Sequence, residues 1–153
     1  MKRYTSKEMR RFNHLVVETN AAYHEIALKF GMSDSAMEIF YTICDYGEGD
    51  SCPLQEVCRR TGISKQTINS AIRKLEAEGM IYLEQSGTRT KRLCLTREGK
   101  SLAQNTVVKL MEAENEILRS WPEEDVEKYL ALTEKFLTAI REKAGDMAVE
   151  MHG

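Results

Sequence analysis

The chain has 153 residues, of which 42% are hydrophobic and 30% charged, and a net charge of −2. That length suits one ordinary domain with helical extensions and a proper core, and no apolar run approaches the roughly 18 residues needed to span a bilayer. The first eight residues lack the apolar core of a secretory signal, and the four cysteines form no CxxC pair, so a reduced, cytoplasmic protein is expected.

Two prolines, Pro53 and Pro122, interrupt the chain, which favours long helices. The spacing predicts a first helix over about 5–30, with Phe12, Val16, Thr19, Tyr23, Ile26 and Phe30 on one stripe and Gly31 as its stop. Ser33, Asp34 and Ser35 offer caps for a second helix, and Ser35 with Glu38 has capping-box spacing. Its buried side is expected to be Met37, Ile39, Phe40, Ile43 and Cys44, and the polar, glycine-containing residues 45–51 read as a loop.

Pro53 opens a short helix with Leu54, Val57 and Cys58 facing inward, and Gly62 ends it. Residues 64–79 form the next helix, with Ser64 as N-cap and Gly79 just past its end. Ile68, Ile72 and Leu75 line one stripe, and Gln66, Asn69, Ser70 and Arg73 gather on the opposite face. That polar face carries no acid and suits base edges and phosphates. On its own the helix fits either a DNA reader or an ordinary amphipathic surface helix.

Its neighbours decide. A short helix, a glycine-containing turn and a second capped helix make a helix-turn-helix. Residues 80–84 and 91–95 then read as two strands joined by a polar turn carrying Arg89, which makes a winged helix. Between 54 and 96 eight Lys/Arg face four Asp/Glu, a local charge of +4 against −6 for the rest of the chain. A basic module in an acidic frame is the electrostatic footprint of phosphate binding.

Thr96 caps a helix expected to run unbroken over about 97–120. Pro122 and three acids start the last helix, whose stripe Val126, Leu130, Thr133, Leu137, Ile140, Ala144, Met147 and Met151 alternates steps of four and three. This is an a/d heptad pattern, and a stripe of that length calls for a partner subunit.

In order, these elements resemble the MarR family of bacterial winged-helix regulators. The motifs that carry the resemblance are the second-helix start from Ser33, Leu54-Gln-Glu-Val-Cys-Arg-Arg-Thr-Gly-Ile-Ser64, Leu75-Glu-Ala-Glu-Gly-Met-Ile81, Leu93-Cys-Leu-Thr-Arg-Glu-Gly99 and Trp-Pro-Glu-Glu124. The wing departs from the family pattern: where Asp-x-Arg is usual, this chain reads Gly87-Thr88-Arg89. The resemblance implies a mainly α fold with a small β-hairpin wing, in which 33–96 is the winged helix-turn-helix module and 1–31 and 97–153 supply dimerisation helices of a single domain.

It also implies a homodimeric transcription regulator, a repressor on a pseudo-palindromic operator in double-stranded DNA. Lys65, Gln66, Thr67, Asn69, Ser70, Arg73 and Lys74 are then the expected recognition-helix contacts, with Arg89 in the minor groove and Lys91 or Arg92 sharing that task. The resemblance implies a small phenolic or aromatic effector, for which Tyr23, Met37, Tyr41 and Tyr46 are the candidate lining, although core or dimer-interface packing explains them better, since aromatic stripes at helical spacing are usually core.

Two alternatives belong to other classes. A thiol-based redox regulator needs a cysteine near a helix N-terminus or cations, and only Cys52 has such a place. A winged helix used for protein docking without DNA predicts a neutral or acidic recognition face, against the bases present here. No cofactor or metal is expected, since His14, His24 and His152 are scattered. No phosphate-cradling glycine loop or nucleophile signature suggests an enzyme.

Overall fold

A computed structural model describes residues 1–47 and 49–152, the side chains of Ser86 and of 148–152 excepted. The chain divides into two compact units, Met1–Lys109 and Leu110–Gly153.

In the first unit, α1 (Lys7–Lys29), α2 (Asp34–Tyr46), α3 (Leu54–Thr61), α4 (Lys65–Ala77) and α5 (Arg97–Asn105) surround a small sheet of β1 (Ser51–Pro53), β2 (Ile81–Ser86) and β3 (Thr90–Leu95). Hydroxyl side chains start most of these helices. Ser6 Oγ accepts the Met9 N–H, Ser33 Oγ that of Ala36, Ser64 Oγ that of Thr67 and Thr96 Oγ1 that of Gly99. The cap of α2 is therefore Ser33, not the Ser35 of the expected capping box.

The core is the sum of the inward stripes. Ile39, Phe40 and Ile43 of α2, Val57 of α3, Ile68 and Ile72 of α4, and Leu93 of β3 are buried. Fully burying such side chains stabilises the fold by about 1.5–3 kcal/mol each. α4 is thus fixed by one face and leaves the other to solvent.

The sheet has strand order β1-β3-β2, antiparallel throughout. The hairpin register runs from Ile81↔Leu95 to Ser86↔Thr90, so Gly87, Thr88 and Arg89 form its tip. β1 corrects the reading of 45–51 as loop leading directly into a helix. Ser51, Cys52 and Pro53 pair with Cys94, Leu93 and Arg92, and Pro53 becomes the N-cap of α3 rather than its first residue. A three-residue strand ending in proline has no periodicity of its own; pairing with β3 makes it a strand.

The predicted single helix over 97–120 is also corrected. It breaks at Thr106 (φ −128°, ψ −90°), between α5 and α6 (Val107–Arg119). The Thr106 hydroxyl donates to the Leu102 carbonyl at 2.7 Å while its N–H turns to Ala103 O at 3.2 Å. The side chain takes the acceptor that a continuing helix gives to the backbone.

In the second unit, α7 (Glu123–His152) follows Pro122, with Glu123, Glu124 and Asp125 in its first turn. Tyr129 packs edge-to-face on Trp121, centroids 5.5 Å apart. Leu130, Leu137, Ile140 and Met147 of the heptad stripe are exposed, as are Leu132 and Phe136 beside it.

Candidate nucleic-acid interface

The helix-turn-helix is built around Gly62. α3 ends there in a left-handed turn (φ 66°), which costs other residues a steric penalty, and Ile63 leads to the Ser64 cap two residues on. Burial of Ile68, Ile72 and Leu75 then rolls the polar side of α4 outward. Gln66, Thr67, Asn69, Ser70 and Arg73 line one shallow surface hollow together, as their spacing predicts. Asn69 is half-buried and the other four are exposed.

The two flanking lysines separate. Lys65 is exposed at the first residue of α4. Lys74 stands beside Ala71, Leu75 and Glu78 on a neighbouring hollow bounded by Phe30 to Ser33 and Leu102. It lies on the flank of α4, outside the group of five.

Arg89 is exposed at the tip of the β2–β3 hairpin. The Gln85 side-chain amide donates to Gly87 O at 3.1 Å and braces that tip. Lys91 is exposed opposite Gln85. Arg92 does not join it: its Nε and Nη2 donate to Ser51 Oγ at 3.2 and 3.1 Å, and the side chain is half-buried across β1.

Two further bases in the local +4 are held internally. Arg59 and Arg60 both donate to Glu56, Arg60 also meets Asp45 at 3.4 Å, and its guanidinium lies 5.2 Å from the Tyr46 ring centroid. These guanidinium bonds hold the Glu56 carboxyl below its ordinary value. By contrast, Lys65, Arg73, Lys74, Arg89 and Lys91 make no salt bridge among the described residues. The electrostatic excess is thereby concentrated on α4 and the wing, where sequence counting alone spread it over the whole module.

The other candidates fare differently. Cys52 is fully buried in β1, where its thiol donates to Pro53 O at 3.3 Å, so it lacks the exposure a thiol sensor requires. Burial pushes the Cys94 thiol up, and burial with the Asp50 charge does the same at Cys44. Of the proposed effector lining, Met37 is a core residue and Tyr46 packs against Arg60, while Tyr23 and Tyr41 are half-buried on α1 and α2. Among the described residues no group of three or more His, Cys, Asp or Glu could hold a metal ion, and no helix is long and apolar enough to cross a membrane.

Sequence reasoning missed the Ser64–Thr67 hydroxyl pair, the Gln85 brace and the Glu56 clamp. All three join neighbours within four residues, yet side-chain direction rather than residue type creates them.

Comparison with known proteins agrees with this arrangement. A family model described as MarR family matches residues 30–92. An uncharacterized HTH-type transcriptional regulator of Bacillus subtilis, YwoH, is 26% identical over 132 residues, covering 81% of this chain and 94% of the relative. Among solved structures, the MarR family regulator NMB1585 of Neisseria meningitidis superposes with a TM-score of 0.78 at 13% identity, covering 92% of this chain and 99% of that one. The MepR–DNA complex of S. aureus gives 0.65 at 19% identity, with 90% and 99% covered.

Proposed function

We propose that this chain is a MarR-family transcriptional regulator, a reading supported by the family model over residues 30–92 and by the likeness to the regulator of Bacillus subtilis, and that it acts as a homodimeric repressor that reads a pseudo-palindromic operator with α4 and the wing. The observation that carries this reading is the shared outward face of Gln66, Thr67, Asn69, Ser70 and Arg73 on a helix whose other face is buried. Arg73 matches guanine or a phosphate, and Gln66 and Asn69 match adenine edges. Lys65 and Lys74 flank these contacts and neutralise backbone phosphates; Lys91 does so from the wing. Arg89 enters the minor groove, where it reads width more than base identity.

The dimer follows from α7. Leu130, Leu137, Ile140 and Met147 leave an exposed heptad stripe whose chemistry suits a second copy of the same helix. A two-fold dimer presents two α4 helices to successive major grooves, about 34–36 Å apart. A small phenolic or aromatic effector completes the proposal. Tyr23 and Tyr41 are its half-buried candidate contacts on α1 and α2, with buried Met37 and the Arg60-stacked Tyr46 as the further candidates on α2. Binding there releases the operator.

The test is a salt titration of duplex binding. Arg89→Ala is expected to weaken binding and to reduce the slope of log affinity against log salt by about one. An unchanged slope removes the wing from the interface.

A further inference from the structure

A cavity of about 130 Å³ lies between the turn joining α1 to α2, the last turn of α4, and α5. Phe30, Met32, Leu75 and Leu102 give it apolar walls, and Ala36 and Ala71 leave open space that a larger side chain would fill. Its volume is close to that of a core cavity that accepts one benzene ring. Neither Tyr23 nor Tyr41 lines it, so it is separate from the effector contacts proposed above.

Two opposite charges border this space. Lys74 and Glu78 both line the cavity and are exposed. They stand one helical turn apart on α4, at ion-pair spacing, yet neither makes a salt bridge among the described residues. Two helix ends add to the arrangement. Ser33 and Ala36 begin α2, whose N-terminal end carries partial positive charge, and Leu75 and Glu78 close α4, whose C-terminal end carries partial negative charge. A simple carboxylate would attract Lys74 and repel Glu78, and a simple amine would do the reverse. A ligand bearing both charges meets each with its opposite.

We infer that this cavity binds a free apolar α-amino acid of the size of leucine or phenylalanine. Its carboxylate meets Lys74 and the start of α2, its ammonium meets Glu78 and the end of α4, and its side chain fills the apolar space. A residue inside a peptide carries neither charge and is rejected. The site also has a consequence for DNA, which rests on the function proposed above. Lys74 is the ammonium assigned there to a backbone phosphate, so an amino acid that engages it weakens duplex binding.

The experiment is calorimetric titration of the full chain without DNA. The probes are L-leucine, 4-methylpentanoate, which lacks the ammonium, and 3-methylbutylamine, which lacks the carboxylate. Leucine is expected to bind at least about tenfold more tightly than either, the effect of one charge-assisted hydrogen bond. Glu78→Gln is expected to remove its advantage over 4-methylpentanoate, and Lys74→Gln its advantage over the amine. Ala71→Leu fills the cavity and is expected to abolish binding, with the fold checked by thermal melting. No leucine binding at millimolar concentration, or equal affinity for leucine and 4-methylpentanoate, overturns the zwitterion site. Parental leucine binding by Ala71→Leu overturns its place in the cavity. In a separate duplex titration, leucine is expected to weaken binding by the parent but not by Glu78→Gln. Leucine bound without any change in duplex affinity overturns the tie through Lys74. A parent that binds leucine but no duplex at any salt concentration upholds the cavity site and fails the proposed function.

Discussion

An alanine at position 99 would place its Cβ 1.9 Å from the Met80 carbonyl oxygen. That oxygen also accepts the Thr96 N–H at 3.1 Å, so it is pinned where α4 hands over to β2 and cannot easily retreat. Gly99→Ala is therefore expected to destabilise the fold by at least about 1–3 kcal/mol, the usual cost of overpacking, read as a lower urea midpoint. A parental midpoint would mean that the α5 start moves freely. The same scale separates two kinds of base in the module. Arg59, Arg60 and Arg92 serve the fold through Glu56, Asp45 and Ser51, whereas Arg73 and Arg89 have no such partner among the described residues. Glu56, three and four residues before Arg59 and Arg60, is a local signal that sequence carries, whereas the Ser51 partner of Arg92 is distant in the chain and could not be read from it.

Among the elements, Thr96 joins three at once. Its Oγ1 caps α5 through Gly99 N at 3.0 Å and donates back to Gly79 O at 2.6 Å, at the exit of α4. Thr96→Val keeps the shape but loses both bonds. The expected cost is about 1–2 kcal/mol of stability, combining a lost cap with a lost hydrogen bond. A thermal melt superimposable on that of the parent would contradict this tie.

Legibility in the sequence follows the same division. The caps at Ser64 and Thr96, the glycine turn at Gly62 and the buried stripe of α4 could be read because they are local signals of spacing and hydrogen-bonding type. The recognition face followed from the buried one, since Ile68, Ile72 and Leu75 leave α4 a single outward side. β1 could not be read, because Cys52 becomes a strand residue only by pairing with Leu93. Nor could the break at Thr106, which falls within a stretch whose apolar pattern stays helical throughout. Cys52 illustrates the consequence for function. Sequence placed it before a helix, where a thiol becomes reactive, and the sheet buried it.

For the whole molecule, the local charge of +4 and the exposed stripe of α7 are the two features that the proposed dimer uses together. A single winged helix makes few contacts and reads a short site. In the proposed dimer, pairing through α7 doubles the site and adds a spacing requirement that no single half-site meets. The acidic remainder, at −6, keeps non-specific attraction to nucleic acid low while the basic face remains local. On the same proposal, an effector needs only to shift the spacing of the two α4 helices to release the operator, since one misplaced half-site forfeits the gain of pairing.

In the proposed dimer, two copies of α4 related by a two-fold axis read DNA. Selection of bound sequences from random duplexes by the purified protein tests it most directly. Enrichment of two inverted, related half-sites centred about 10–10.5 base pairs apart, or a multiple of that spacing, is expected. Recovery of no common sequence, or of a lone half-site without an inverted partner, would contradict it.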